Sequence, residues 1–494
     1  MTKGANSCSD IEIMTQQGER SFGIVVLAAG LGKRMRSPLP KVLHEIAGKP
    51  LLFHILNQIR ESDSHASIAL VVGNGREKVE SYVRSEKLFQ DLKISFVVQS
   101  EQLGTGHAAK CAMESEWGNQ FSGAQNSVLI LPGDQPLIPS ELIHQMRFPL
   151  SKSEAARLLT CERPEPAGYG RIVRRGAGGP VIRIVEDRDA TEKQKQIREV
   201  STSIYLFRGD FLRASLKRLS NNNAQKEYYL TDLIEAATRA RKKVGVLKWK
   251  NQEDLLGIND PWELAQAGKI LNERLLKAWA LKGVTLIDPQ MVYIEPSVVL
   301  HPPLVLHPGV HLRGETEIGT GAVIGPNVVL KNVVIGQHVQ LQTGTVATDS
   351  QIGDHANVGP YAHLRPGSSV GTHSKIGNFV ELKKTTIGSQ TSVAHLSYLG
   401  DAEVGKKVNI GCGFVTCNFD GRVIEGQRKH KTIIEDEVFM GSDCQTIAPV
   451  KIGKGAYIAS GSTITEDVEP GAFSIARARQ VNKLGYAKRL KNSE

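Results

Sequence analysis

The chain has 494 residues, enough for two or three domains. Hydrophobic residues make up 40% and charged residues 23%, an ordinary globular balance, and no apolar run reaches the ~18 residues of a membrane-spanning helix. A net charge of +10 suits nucleic acid, a membrane surface or small anions, but aromatics are only 5% and no basic-aromatic platform is present, so phosphorylated small molecules account for it best.

Residues 1–21 read as a polar extension without the charged-then-apolar layout of a signal peptide, and Met14 offers a second start. Cysteines at 8, 111, 161, 412, 417 and 444 form no C-x-x-C pair, which predicts reduced thiols in a cytosol. The apolar run at 22–28 has the composition of a buried parallel strand. It feeds a glycine-rich loop, A-G-L-G-K-R-M at 29–35, of the kind whose backbone N–H groups hold phosphates. The loop is neither a P-loop nor a dinucleotide fingerprint. Arg34 and Lys41 stand just beyond it, two cations suited to a triphosphate.

A helix is predicted over 50–59, with Pro50 at its first position. Strands are predicted at 68–72, 94–99 and 127–131, the last two leading into Q-L-G-T-G-H and P-G-D-Q-P-L. Alternating strands and helices of this kind make a doubly wound α/β sheet that binds ligands at its strand C-termini. Asp134, just after a strand, reads either as a hard-cation ligand or as a turn cap. G-Y-G-R at 168–171, I-V-E at 184–186, E-Y-Y-L-T-D opening a helix at 227, a strand at 244–249 and G-I-N-D at 257–260 complete the domain. Asp260, Pro261 and Glu263 then spell a capping box, Leu264, Leu271, Leu275 and Ala278 follow at helical spacing, and Gly283 stops the helix.

Beyond it the period changes to six. Ile352, Val358, Leu364, Val370, Ile376 and Leu382 fall six apart, and Gly353, Gly359, Gly371 and Gly377 follow four of them. Val292, Val298, Leu304, Val310, Ile318, Ile324, Ile335 and Leu341 keep the beat upstream, and Ile452, Ile458 and Ile464 downstream. This is the hexapeptide signature of a parallel β-helix of about ten coils, with small residues easing the turns. The frame breaks between Ile387 and Val404, around His395, which reads as a general base of suitable reference pKa or as a turn residue like His355, His363 and His373. The domains expected are thus 22–260, a connecting helix at 261–282, the β-helix at 283–475 and a basic tail at 476–494, solvated or meeting a phosphate-bearing ligand near Arg477.

The motifs L-A-A-G-L-G-K-R-M, P-K-V-L-H, Q-L-G-T-G-H-A, G-D-Q-P-L, G-Y-G-R-I and E-Y-Y-L-T-D resemble those of the sugar-nucleotide pyrophosphorylases. With R-P-G, G-N-F-V-E-L-K-K, H-L-S-Y-L-G-D and K-T-I-I in the hexads, residues 22–480 resemble the bifunctional N-acetylglucosamine-1-phosphate uridyltransferase and glucosamine-1-phosphate N-acetyltransferase family. The resemblance implies a Rossmann-like nucleotidyltransferase domain followed by a left-handed β-helix. It implies acetyl transfer from acetyl-CoA to glucosamine 1-phosphate, then uridylyl transfer from UTP with release of pyrophosphate, feeding peptidoglycan and lipopolysaccharide precursors. It also implies a cytoplasmic homotrimer that uses Mg²⁺ and acts on small molecules, with no nucleic acid or membrane partner.

Carried over by motif, Leu27, Ala28, Ala29 and Gly30 would hold uridine and phosphates, with Arg34 and Lys41 on the triphosphate. Gln99, Gly104 and Thr105 would read uracil and sugar, Pro132, Gly133 and Asp134 would line the site, and Asp134 and Asn259 would hold Mg²⁺. Gly170, Glu186 and Ser201 would meet the acetylated sugar, Ser201 replacing a family asparagine and Pro132 a frequent tyrosine. In the β-helix His395 would be the base and Glu381 would orient it. Arg365, Lys383, Tyr398, Asn409 and Lys429 would bind the sugar phosphate. Cys412, Asn418, Phe419, Ser442, Ser460 and Arg477 would lie along CoA, with Cys412 and Ser460 at frequent alanine positions and Phe419 at a tyrosine position. The loop at 420–430 is longer than the family's. A single-activity pyrophosphorylase, a non-catalytic scaffold and a zinc hydrolase are the alternatives; His395, Arg365 and Lys383 weigh against the first, Arg34, Lys41, Asp134 and Asn259 against the second, and the lack of paired histidines against the third.

Overall fold

The computed structural model describes residues 21–421, 423 and 426–491, so the extension before Ser21, part of the 420–430 loop and residues 492–494 lie outside the description. The chain divides into two compact units, residues 1–271 and 272–494.

In the first unit, β1 (Phe22–Leu27), β2 (Ser67–Val72), β3 (Lys93–Val98) and β4 (Ser127–Pro132) run parallel in the order β3-β2-β1-β4. Their apolar runs are continuous because both faces are covered. Ile24 and Val26 pack into one core, and Val25 into another on the opposite face. The other half of the sheet departs from the doubly wound expectation. β5 (Glu154–Glu162), a hairpin of β6 (Arg171–Arg174) and β7 (Val181–Val185), β8 (Glu199–Arg208) and β9 (Lys243–Lys248) extend it in the order β4-β8-β5-β9. β8 runs antiparallel to both β4 and β5, so the sheet is mixed. A bulge in β8 shifts its register against β5 between Ser201 and Tyr205, with Ser203 at φ 62°.

A helix, Pro261–Leu281, begins in this unit and continues past residue 271 into the second. The Asp260 carboxylate accepts from the Glu263 N–H at 2.9 Å, while the Glu263 carboxylate reaches back to the N–H of Asn259, one residue before the expected cap. Among the described residues, no helix is long and apolar enough to cross a membrane.

The second unit is a parallel β-helix. Short strands stack coil on coil in ladders, as in Val358, Ile376, Val393, Ile410, Met440 and Ile458. Every hexad residue named above is buried in one continuous core. Two expectations need correction. Of the four glycines that follow hexad positions, only Gly359 has positive φ. The left-handed corners are taken by residues such as His355, His373 and Lys407. The other three glycines serve close approach: a Cβ on Gly377 would sit 1.8 Å from the Ala394 carbonyl oxygen on the next coil, and one on Gly371 2.6 Å from the Ser389 nitrogen. The frame, moreover, does not break at His395. Ile387, Val393 and Leu399 hold the period, and the one-residue slip falls between Leu399 and Val404, so His395 stands in a regular coil.

Candidate functional site

At the C-terminal ends of the parallel strands lies a cavity of about 480 Å³, lined by Leu27–Gly30, Gly32, Lys33, Lys41, Gln99, Gln102, Gly104, Thr105, Asp134 and Glu227. Strand order places it there, since β1 and β4 are neighbours and their loops open to the same side. A Cβ on Gly30 would meet open space, whereas one on Gly32 would lie 2.8 Å from Lys41 Cβ, so the loop wraps tightly on the lysine. Gly133 comes as close to Leu27, its N–H bonding the Leu27 carbonyl at 2.9 Å. A helix, Thr105–Glu114, begins at the cavity wall, with its Gly106 N–H bonded to the Tyr228 carbonyl at 2.7 Å. Gln99 is buried and fixed by its amide to the Gly104 carbonyl at 3.1 Å.

The Lys41 ammonium pairs with the Asp134 carboxylate and lies 3.4 Å from the Asn259 amide oxygen. Asp134 and Asn259, far apart in sequence, thus meet around one positive charge. Asn259 is held by the Glu263 carboxylate on its N–H. Arg34, by contrast, is exposed and does not line the cavity; Lys33 does.

A cavity of about 180 Å³ shares Leu27, Thr105 and Glu227 with the first and continues to Glu186, Ser203, Tyr205, Gln225, Tyr229 and Thr231. Burial pushes the Glu186 carboxyl above its ordinary range, against a 2.9 Å hydrogen bond donated by Thr231. Gly170 faces this carboxylate, a Cβ there lying 3.5 Å from Glu186 Oε2. Ser201 is buried, with its hydroxyl bonded to that of Tyr205 at 2.7 Å. The β8 bulge brings Ser203 to the cavity. It and Glu227 escaped the sequence reading, although Glu227 opens the quoted E-Y-Y-L-T-D motif.

In the β-helix, register places Asn378, His395, Cys412, Ser442 and Ser460 on successive coils along one edge. Ser460 Oγ accepts from the Ser442 N–H at 3.2 Å, and Arg477 lies against Gly461. His395 is exposed, and its Nδ1 pairs with Asn378 Oδ1 at 2.7 Å. Glu381 does not orient it, contrary to expectation: its carboxylate is taken by Arg365 at 2.7 Å. On the neighbouring ladder Glu381 pairs in register with Tyr398, and Lys383 with Gly400. Gly400 has no room for a side chain, because the Tyr398 hydroxyl and the Asn418 amide close over it. Asn418 is buried and donates to Asp401 at 2.5 Å. The Lys429 ammonium beside Lys383 holds that lysine below its ordinary range, with Asp401 acting in the opposite sense. Asn409 is exposed in the column of Ser392 and Phe439, and Phe419 is exposed under Lys429.

Residues 24–199 match the family described as MobA-like NTP transferase domain, residues 349–384 the bacterial transferase hexapeptide family, and residues 431–466 the hexapeptide repeat of succinyl-transferase. The chain is 44% identical to a protein of Geotalea uraniireducens named "Bifunctional protein GlmU", over 94% of this chain and 98% of that one. Proteins of the same name from Halalkalibacterium halodurans and Clostridium perfringens are also 44% identical, over 95% and 94% of this chain and 99% and 98% of theirs.

Proposed function

The chain belongs to the bifunctional GlmU proteins, a uridyltransferase joined to an acetyltransferase, and from that membership we propose how its residues divide the two reactions. The observation that carries the assignment is the meeting of Lys41, Asp134 and Asn259 beside a cavity of nucleotide size on the strand ends.

In the first unit the backbone N–H groups of the 29–32 loop and Lys41 grip the triphosphate of UTP. Gln99, Gly104 and Thr105 hold the base and ribose end. Glu186 binds N-acetylglucosamine 1-phosphate in the adjoining cavity, with Gly170 facing its carboxylate and Ser201 bonded to Tyr205 of the cavity wall. The sugar phosphate attacks the α-phosphorus in line and pyrophosphate leaves, so the protein's work is alignment and charge neutralisation. The donor set fits Mg²⁺: a carboxylate and an amide oxygen already surround a cation, and two protein oxygens with the rest from water and phosphate suit that ion. Mg²⁺ held there by Asp134 and Asn259 would offset charge developing on the phosphates.

In the second unit Arg365, Lys383 and Lys429 take the phosphate of glucosamine 1-phosphate, and the closeness of the Lys383 and Lys429 side chains supports this. Tyr398 and Asn409 orient the sugar. His395 takes the amine's proton while acetyl-CoA runs along Cys412, Asn418, Phe419, Ser442 and Ser460 toward Arg477. Exposed Tyr361, Phe379 and Leu396, one residue beyond Asn378 and His395 in the latter two cases, support a trimer that covers them. The five described cysteines are free thiols, which supports a cytoplasmic setting.

The test supplies purified protein with glucosamine 1-phosphate, acetyl-CoA, UTP and Mg²⁺ and follows UDP-N-acetylglucosamine. Product that forms equally well without acetyl-CoA, or none with all four, rejects the assignment.

A further inference from the structure

Asn378 ends the strand Lys375–Asn378 and stands in register with His395, the last residue of the strand Ser392–His395. Its side-chain oxygen faces His395 Nδ1 at 2.7 Å, and its backbone oxygen accepts from the N–H of Leu396 at 3.0 Å. One residue thus holds both the imidazole and the peptide that follows it. It cannot drift, because the preceding Gly377 already lies as near the Ala394 carbonyl as backbone allows. The Glu381 carboxylate, the partner expected from the sequence, is engaged with Arg365 at 2.7 Å.

The geometry points to Asn378 as the positioning residue of acetyl transfer, accepting the Nδ1 proton of His395 so that Nε2 presents the lone pair. The proposal rests on His395 being the base. In the step it serves, the amine nitrogen attacks the thioester carbonyl, the N–C bond forms and the C–S bond breaks. The amine's surplus proton passes to Nε2 and from there to the departing thiolate, leaving amide and free CoA. A neutral amide on Nδ1 fixes the tautomer without trapping the imidazolium as an ion pair, so the proton returns readily to sulfur. A carboxylate would fix the same tautomer but would stabilise the charged ring.

The test compares full-length protein with N378A, N378D and H395A, measuring the pH dependence of kcat/KM for acetyl transfer and the KM for glucosamine 1-phosphate. A thermal melt of each variant, followed by circular dichroism, reports that the β-helix carrying the substitution has folded. Asn378→Ala is expected to lower kcat about tenfold to a hundredfold with little change in KM, as loss of an outer orienting partner does elsewhere. Asn378→Asp, which keeps the acceptor, is expected to recover rate at high pH with the acid limb moved up by about one pH unit. A merely structural asparagine would not move that limb. Wild-type rate in Asn378→Ala, or an unmoved limb in Asn378→Asp, overturns the proposal if His395→Ala abolishes acetyl transfer. If His395→Ala retains it, the reading of the site falls with the proposal.

Discussion

Glu186 shows what a single buried carboxylate costs and what it provides. Burial raises its pKa in the folded chain, so the native state holds that proton more tightly than the unfolded chain does. Its contribution to stability is therefore most favourable below the ordinary carboxylate range and is lost as pH rises through the folded pKa. Glu186→Gln should flatten this loss and raise the melting temperature at pH 7, seen by calorimetry across pH 4–8. It keeps an acceptor for Thr231 but gives up a charged partner for sugar hydroxyls, so the KM for N-acetylglucosamine 1-phosphate should rise about tenfold or more. An unchanged melting temperature with an unchanged KM would remove Glu186 from the site. Lys41 makes a second case. Its ammonium stands between Asp134 and Asn259, where a metal would compete with it. Lys41→Met should let the nucleotide-free protein bind Mn²⁺ about tenfold more tightly, read by electron spin resonance; equal or weaker binding would show that the lysine does not exclude the ion. At this scale the sequence is a partial guide. The strand-and-loop pattern located Asp134 because a residue leaving a buried parallel strand has one side to face. It singled out Arg34 where its neighbour Lys33 lines the cavity, and it named Glu381 rather than Asn378 as the partner of His395, because register across coils is not written in the spacing along one.

The coil is the element on which the second site depends, and its glycines set how closely coils stack. A methyl at 377 would lie 1.8 Å from one backbone atom and 2.5 Å from another, and neither can yield as a side chain can. Gly377→Ala should destabilise the β-helix by about 3 kcal/mol or more and remove acetyl transfer, because the strands carrying Asn378 and His395 must separate. Gly455→Ala is the matched control. Its φ is +68° with nothing near the new Cβ, so only the left-handed penalty of about 1–2 kcal/mol applies and acetyl transfer should persist. Thermal melts with both assays decide; similar losses from the two substitutions would refute the close-approach account. The period of six was legible because each coil must bury one aliphatic residue per face, and the pattern survives any turn chemistry. The role of the glycines was not, since packing between coils and bending at a corner both select small residues. In the first unit β5 and β8 went unread for another reason. Their charged ends and the bulge at Ser203 interrupt the apolar run by which β1, β2 and β4 announce themselves.

Joining two transferases in one chain makes a prediction about the intermediate between them. Asp134 and His395 belong to different compact units, each with its own core. Asp134→Ala should reduce uridylyl transfer by about a thousandfold, as loss of a charge-stabilising group at phosphorus does, and leave acetyl transfer within about twofold. His395→Ala should do the reverse, since removing a general base costs about a hundredfold to ten-thousandfold in its own step alone. Neither variant can then carry glucosamine 1-phosphate to UDP-N-acetylglucosamine by itself. If the acetylated sugar phosphate leaves one site before entering the other, an equimolar mixture of the two purified variants should make product after a lag, and the lag should shorten as protein concentration rises. The measurement is a coupled pyrophosphate-release assay with each variant alone, both together, and the mixture in the presence of added N-acetylglucosamine 1-phosphate. A silent mixture that the added intermediate revives would mean that each chain retains what it makes. A mixture that stays silent even then would mean that Asp134 and His395 do not divide the chemistry between them.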